Sequence, residues 1–376
     1  MGNFVRRSVE DTPPYVPGKR PDQIQTDPSV SKIIKMSSNE CAFGISPHAA
    51  EAVRNTAQDL YLYPASGDEE LRRRLSPLLG VAPEELIMGN GSDAVIYNLG
   101  MTVIDPGDEV IIPEVTFLIY RTIAAIMGAR IVSVPMDALR IDLDALLAAI
   151  TEKTKAVFLC NPNNPTGDTL DPEAVRRFLR LLPSHVLAVL DEAYIEFVDP
   201  ACDPRSVDLF LGSSKREGMK NLFILRTLSK SYGVAGLRLG YGIGDKELIS
   251  HMNRVKQPFE VSLPAQKAGL AALEDVQFFR HVIESTRKEA DFFRSELVRL
   301  GLDFVDSQAN FFLIDTGTDA KKVFEQLQRK GVIVRPGHIF GLPRHIRVSI
   351  GTRDQNSIFF TALEAVLADL PQGDRE

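Results

Sequence analysis

Cysteine is scarce: Cys41, Cys160 and Cys202 are the three in a chain of 376 residues. An odd, unpatterned set fits a reducing compartment better than a disulfide framework. There is no Cys-x-x-Cys, and the six histidines are scattered, so no metal site is expected. No apolar run approaches the length of a membrane span. The opening MGNFVRRSVEDTPPY lacks the apolar core of a signal peptide. Gly2 invites a lipidation reading, but Arg6 stands where that motif takes Ser or Thr. Nor is there a block of Lys or Arg. A net charge of −7 gives no electrostatic reason to bind nucleic acid or an anionic membrane. Together these absences place the chain in the cytoplasm, with small molecules as its partners.

What is present is an ordinary globular balance, 44% hydrophobic and 25% charged, in a chain longer than one core usually supports. Residues 1–30, rich in proline and charge, read as an extended arm. From Pro83 onward, short apolar runs alternate with helical patterns: Glu85–Met88, Glu109–Ile112, Arg130–Val134, Ala156–Cys160, Val186–Leu190, Leu222–Leu225 and Leu239–Ile243. Runs of this kind are strands buried on both faces. Their alternation with helices predicts an α/β fold, a mostly parallel mixed sheet of seven strands flanked by helices. The pattern changes near Pro258–Pro264. A long helix over Ala265–Leu300 is predicted, then a strand Phe311–Ile314, a helix Ala320–Lys330, strands Val332–Val334 and Ile346–Ile350, and a last helix over Ser357–Leu367. The expected division is an arm (1–30), a large ligand-binding domain (31–262) and a smaller α+β C-terminal domain (263–376) that packs with the N-terminal segment.

Four motifs sit at predicted strand ends, where an open parallel sheet gathers its ligands. Asp191 ends one buried strand and Tyr194 follows three residues later; Asp191 reads equally well as the cap of a following helix. Lys230 follows Thr227 and Ser229 and precedes Gly233, Gly236 and Arg238. Most lysines are solvated surface residues. This one has hydroxyl and arginine neighbours suited to a phosphate, which is what a lysine bearing pyridoxal phosphate as a Schiff base needs. Gly89-Asn90-Gly91-Ser92-Asp93-Ala94 opens a helix whose N-terminal N–H groups can hold a phosphate. It also fits the dinucleotide fingerprint, with Glu114 about 20 residues on. Asn161-Pro162-Asn163-Asn164-Pro165-Thr166-Gly167 is a Pro/Gly turn that also carries amide donors.

Taken jointly, these motifs resemble the class I/II aminotransferases of pyridoxal-phosphate fold type I, in particular the histidinol-phosphate aminotransferase branch. The likeness extends over nearly the whole chain, through Pro14-Tyr15-Val16-Pro17-Gly18-Lys19, Ser38-Asn39-Glu40, Tyr63-Pro64, Ala235-Gly236-Leu237-Arg238 and Arg347-Val348-Ser349-Ile350-Gly351-Thr352. It departs at Cys41-Ala42, where the branch often has a proline. The resemblance implies that Lys230 holds pyridoxal 5'-phosphate and shuttles the proton. Asp191 would pair with the pyridine nitrogen, Tyr194 and Asn164 would bond the phenolic oxygen, and Phe117 would stack on the ring. For Phe117 a plain core role competes. The phosphate would meet Gly91, Ser92 and Asp93 at the helix start, Thr227, Ser229 and Arg238, and Tyr63 from the partner of a homodimer. Tyr15, Asn164, Arg335 and Arg347 would bind substrate.

The implied activity is amino transfer between histidinol phosphate and 2-oxoglutarate or glutamate, that is, a small-molecule amino donor and a 2-oxo acid. The alternatives are an aromatic amino-acid aminotransferase and a decarboxylase of a phosphorylated amino acid such as phosphothreonine. A regulatory protein that kept the cofactor site and a nicotinamide-dependent oxidoreductase are the rivals from other classes.

Overall fold

The computed structural model describes residues 4–10, 12–64, 68–212 and 218–370. Gly2 and residues 371–376 of the expected second domain lie outside them. The Pro-rich start is extended, with short helical turns at Arg7–Glu10 and Pro21–Gln23. β1 (Ile34–Lys35) follows. Then come β2 (Leu86–Asn90), β3 (Glu109–Pro113), β4 (Arg130–Val134), β5 (Thr154–Cys160), β6 (Leu187–Asp191), β7 (Leu222–Thr227) and β8 (Leu239–Ile243).

Strands β2 to β8 make one sheet of seven in the order β2-β8-β7-β6-β5-β3-β4. Within it β8 runs antiparallel to β2 and β7, and the remaining pairs are parallel. The near-continuous apolar runs are explained by two cores, one on each face. Along β6, Ala188 and Leu190 enter one core and Val189 the other; along β7, Leu222 and Ile224 enter the first, Phe223 and Leu225 the second. β4 departs from this pattern. It is an edge strand, as β2 is at the other end, and it exposes Arg130 and Ser133 while burying Val134.

The second unit contains β9 (Phe311–Asp315), β10 (Val332–Ile333), β11 (Arg335–Pro336) and β12 (His345–Ser349). The predicted strand Val332–Val334 is thus two short ones. β11, β12 and β9 form an antiparallel sheet, while β10 pairs in parallel with β1. The predicted helix over 265–300 breaks in two, Leu263–Glu274 and Val276–Arg299. At the break, the Asp275 carboxylate accepts from Phe278 N–H and from Ser46 Oγ, capping the second helix rather than continuing the first. The last helix runs Arg353–Asp369, longer than expected, because Thr352 and Gln355 form a capping box at its start.

Core membership does not follow the expected division at residue 262. Ala265, Ala268, Ala272 and Leu273 pack into the core of the seven-stranded sheet. Ile34 and Met36, early in the chain, lie in the core of the second unit with Phe293, Phe312 and Phe359. Among the described residues no helix is long and apolar enough to cross a membrane.

Candidate active site

The carboxyl ends of β5, β6 and β7 and the start of the helix Gly91–Val103 converge on one cavity, closed from above by β11, β12 and the arm. Lys230 lies on its wall. Its ammonium donates to the Ser38 carbonyl (3.2 Å) and lies 5.7 Å from the Tyr194 ring centre. Burial, reinforced by the Arg347 charge, holds this amine at about 8, below the usual lysine range. About a tenth of the amine is therefore in the neutral, nucleophilic form at pH 7, far more than for an ordinary lysine.

Asp191 is the last residue of β6 and is buried. It accepts from the Tyr120 hydroxyl at 2.6 Å on one oxygen and from Ala193 N–H at 3.1 Å on the other. Burial pushes its carboxyl up to about 6, while the Tyr120 bond pulls it down. The capping interpretation holds locally, since the Ala193 bond is an Asx turn. The carboxylate nevertheless faces the cavity.

Tyr194 is buried, and its oxygen accepts from two amides, Asn39 Nδ2 at 3.0 Å and Asn164 Nδ2 at 3.4 Å. Both contacts donate to it, so its own proton is available to a ligand. Burial raises the phenol above the usual tyrosine range and keeps it protonated. Asn164 Oδ1 accepts from Arg347, which also donates to the Ser37 carbonyl at 2.8 Å. Phe117 lines the cavity half-buried, edge-on to Tyr120 with ring centres 5.6 Å apart, so it serves core and site at once.

The helix start holds Ser92 and Asp93 at the cavity edge. Gly91 has φ +79°, and a Cβ there would lie 2.4 Å from Arg238 Nη2. Gly91 therefore does not line the cavity; it lets the guanidinium close on the helix terminus. Arg238 pairs with the Asp93 carboxylate at 3.1 Å. The Thr227 hydroxyl donates to the Leu239 carbonyl and accepts from Ser229 N–H, shaping the loop. Ser229 Oγ is buried without a partner. A phosphate seated between Ser92, Ser229 and Arg238 would satisfy it. An amine for an aldehyde, a carboxylate for a ring nitrogen, a phenol and an amide for a phenolic oxygen, and this anion cradle together fit pyridoxal phosphate.

Opposite the cradle, Arg335 and Arg347 are register partners on β11 and β12. Arg335 donates to the Val16 carbonyl of the arm, and the Tyr15 ring centre lies 5.8 Å from its guanidinium. Both arginines are buried, neither makes an ion pair among the described residues, and Arg347 Nε has no partner. Burial lowers Arg347 to about 10. Two buried cations without a carboxylate require an anion. Of the side chains expected to bind cofactor or substrate, Tyr63 is the one that lies outside this cavity. It is 79% exposed, stacked on Phe259 at 4.6 Å, outside the cavity of its own chain. Tyr120, hidden in an apolar helix, went unread in the sequence, and Asn39, quoted there within a motif, was given no role; its left-handed backbone (φ 54°) is the kind Asn tolerates.

A family model of the class I and II aminotransferases matches residues 31–363. The histidinol-phosphate aminotransferase of Moorella thermoacetica is 43% identical over 363 residues, covering 96% of this chain and 93% of that protein. Histidinol-phosphate aminotransferase 2 of Carboxydothermus hydrogenoformans is 40% identical over 365 residues, covering 97% and 99%. The crystal structure of histidinol-phosphate aminotransferase from Sinorhizobium meliloti in complex with pyridoxal 5'-phosphate superposes with a TM-score of 0.84 at 29% identity, covering 90% of this chain and 92% of that one.

Proposed function

Because this chain belongs to the class I and II aminotransferases, we propose that it transfers an amino group between histidinol phosphate and the 2-oxoglutarate/glutamate pair, with pyridoxal phosphate held at Lys230. The observation that carries the substrate is the pair of buried arginines, Arg335 and Arg347, without an ion-pair partner among the described residues. Side by side across β11 and β12, they suit a phosphate monoester in one half-reaction and a glutamate carboxylate in the other. The relatives named histidinol-phosphate aminotransferase support the same choice.

When bound, the cofactor supplies an electron sink for the bond broken at the substrate's α-carbon. Asp191 holds the proton at the pyridine nitrogen. Tyr194 donates its proton to the phenolic oxygen, beside the Asn164 amide. Lys230 Nζ would hold the cofactor and would take and return the proton at the substrate's α-carbon, a task suited to a value near 8. Ser92, Ser229 and Arg238 anchor the phosphate, with Thr227 shaping their loop, and Phe117 covers the ring. Arg335, Arg347 and Tyr15 orient the substrate.

The active assembly in this reading is a cytoplasmic homodimer in which Tyr63 serves the neighbouring phosphate. Its support is the exposed aromatic pair Tyr63 and Phe259, flanked by exposed Tyr61 and Leu62. The test of function is kcat/KM with 2-oxoglutarate as acceptor, for histidinol phosphate against phenylalanine and tyrosine. Preference for histidinol phosphate is expected. Preference for the aromatic amino acids would overturn the substrate and favour the aromatic enzyme.

A further inference from the structure

Behind the cavity, and outside its lining, lies a charged cluster that none of the steps above uses. Glu192 is fully buried. Its Oε2 accepts from Arg226 Nε at 3.0 Å and Nη2 at 2.7 Å, and its Oε1 accepts from Ser206 Oγ at 2.5 Å. Glu196 lies near enough to feel the Arg226 charge without pairing to it, and its Oε2 is buried without a hydrogen-bond partner. Ser231 Oγ, which faces Glu196, is likewise buried and unpartnered. Tyr241, the register partner of Arg226 on β8, closes the group. Burial drives the Glu196 carboxyl up to about 7 against the pull of Arg226.

The members interleave along the chain with the groups that work in the cavity. Glu192 follows Asp191, and Glu196 lies two residues after Tyr194. Arg226 precedes Thr227, and Ser231 follows Lys230. Glu192 N–H also donates to the Leu225 carbonyl at 2.9 Å, one step beyond the Asp191–Leu225 register pair. The ion pair therefore spans the joint between the strand end that presents Asp191 and the strand that leads to Lys230. Buried ion pairs add little net stability, because desolvation offsets the attraction, and apolar replacements often hold a fold as well. What such a pair does impose is a fixed separation, through directional bonds that an apolar contact lacks.

We propose that Glu192 and Arg226, with Ser206 behind them, form a positioning network that sets the separation of Asp191 and Lys230 from behind the cavity. The network touches no substrate; it acts through its chain neighbours. This inference rests on the reading that the cavity holds pyridoxal phosphate at Lys230.

The test uses the cofactor-loaded enzyme, as Arg226→Lys and as the charge-free pair Glu192→Gln/Arg226→Met. Two readouts are followed: the midpoint of the pH titration of the visible absorbance, and kcat and KM separately. The expected result is a midpoint moved by about half a pH unit or more. A kcat loss of roughly 10- to 100-fold at nearly unchanged KM should accompany it, since misplacement by an ångström costs on that scale. Arg226→Lys keeps the buried cation, so it decides the matter whether or not the charge-free pair folds. Wild-type midpoint and kcat, with only the melting temperature lowered, would overturn the network as a positioning device. A wild-type protein that acquires no visible band with pyridoxal phosphate overturns the functional reading and this inference with it. The two failures are distinct, because the first leaves the wild-type band in place.

Discussion

At the scale of single residues, the site is governed by burial acting against charge. Lys230 is held at about 8 and Asp191 at about 6, so between those values the amine loses its proton while the carboxylate is already ionised. Capture of pyridoxal phosphate by cofactor-free protein should therefore speed up as pH rises from 6 to 8 and level off above. Stopped-flow absorbance checks this, and a rate flat across that range would count against Lys230 as the captor. Lys230→Ala should show no borohydride-fixed cofactor and lose turnover by at least about a thousandfold. Asp191 has a folded value raised above 3.8, so its proton stabilises the fold below about 4, and that contribution is lost as pH rises through about 6. Asp191→Asn should consequently raise the melting temperature of the cofactor-free protein at pH 7 while weakening cofactor binding; a lower melting temperature at that pH would refute the assignment. Arg347→Ala, or Arg335→Ala, should cost roughly 10- to 100-fold in kcat/KM for the phosphate-bearing substrate, from charge-assisted bonds of about 1.5–3 kcal/mol. Lys230 and Asp191 stood out as candidates because motif and predicted strand end coincide, whereas Arg335, Arg347 and the role of Tyr194 came only through the family resemblance. Tyr120 was not, because an apolar helix with one tyrosine reads as core until the Asp191 oxygen is found 2.6 Å away.

At the scale of elements, boundaries were read well where burial alone decides and poorly where a single side chain does. Arg130–Val134 and Leu239–Ile243 are strands over the residues expected of them. The helix predicted over 265–300 failed at Asp275 because apolar periodicity continues through it, while its carboxylate is committed to Phe278 N–H and Ser46. β4 was expected to be buried on both faces, yet it exposes Arg130 and Ser133, the two polar letters of the run, and edge position alone does not explain this, since β2 at the other edge is buried over Leu86–Gly89. Close packing of elements makes its own forecast. A Cβ at Gly100 would lie 2.3 Å from Ile123 Cγ1, between the helices Gly91–Val103 and Leu118–Met127. Gly100→Ala gains about 1 kcal/mol of helix propensity. Overpacking costs typically about 1–3 kcal/mol and should win. Denaturant unfolding should report a net loss of stability, and a gain would mean that the helices part freely there.

At the scale of the whole molecule, the seven-stranded sheet was legible because strand and helix periods alternate plainly, whereas the division into units was less so. Ile34 and Met36 look like the start of the first unit and are built into the second. Their destination depends on β10, a strand far away in sequence. Tyr63 raises the assembly question. If it serves a neighbouring chain, hybrids of Lys230→Ala with Tyr63→Ala contain one site in which both residues are intact. Mixing the two inactive variants should restore part of the activity, and verified heterodimers without activity would argue against shared sites. The pairing of β1 with β10 bears also on how the protein is made. On a ribosome adding about 5–20 residues per second, Ile34 and Met36 emerge roughly 15 to 60 s before the strand that covers them. The sheet between can collapse meanwhile. The nascent chain thus carries an uncovered apolar segment at its leading end for most of its synthesis, which is the kind of segment that holdase chaperones bind.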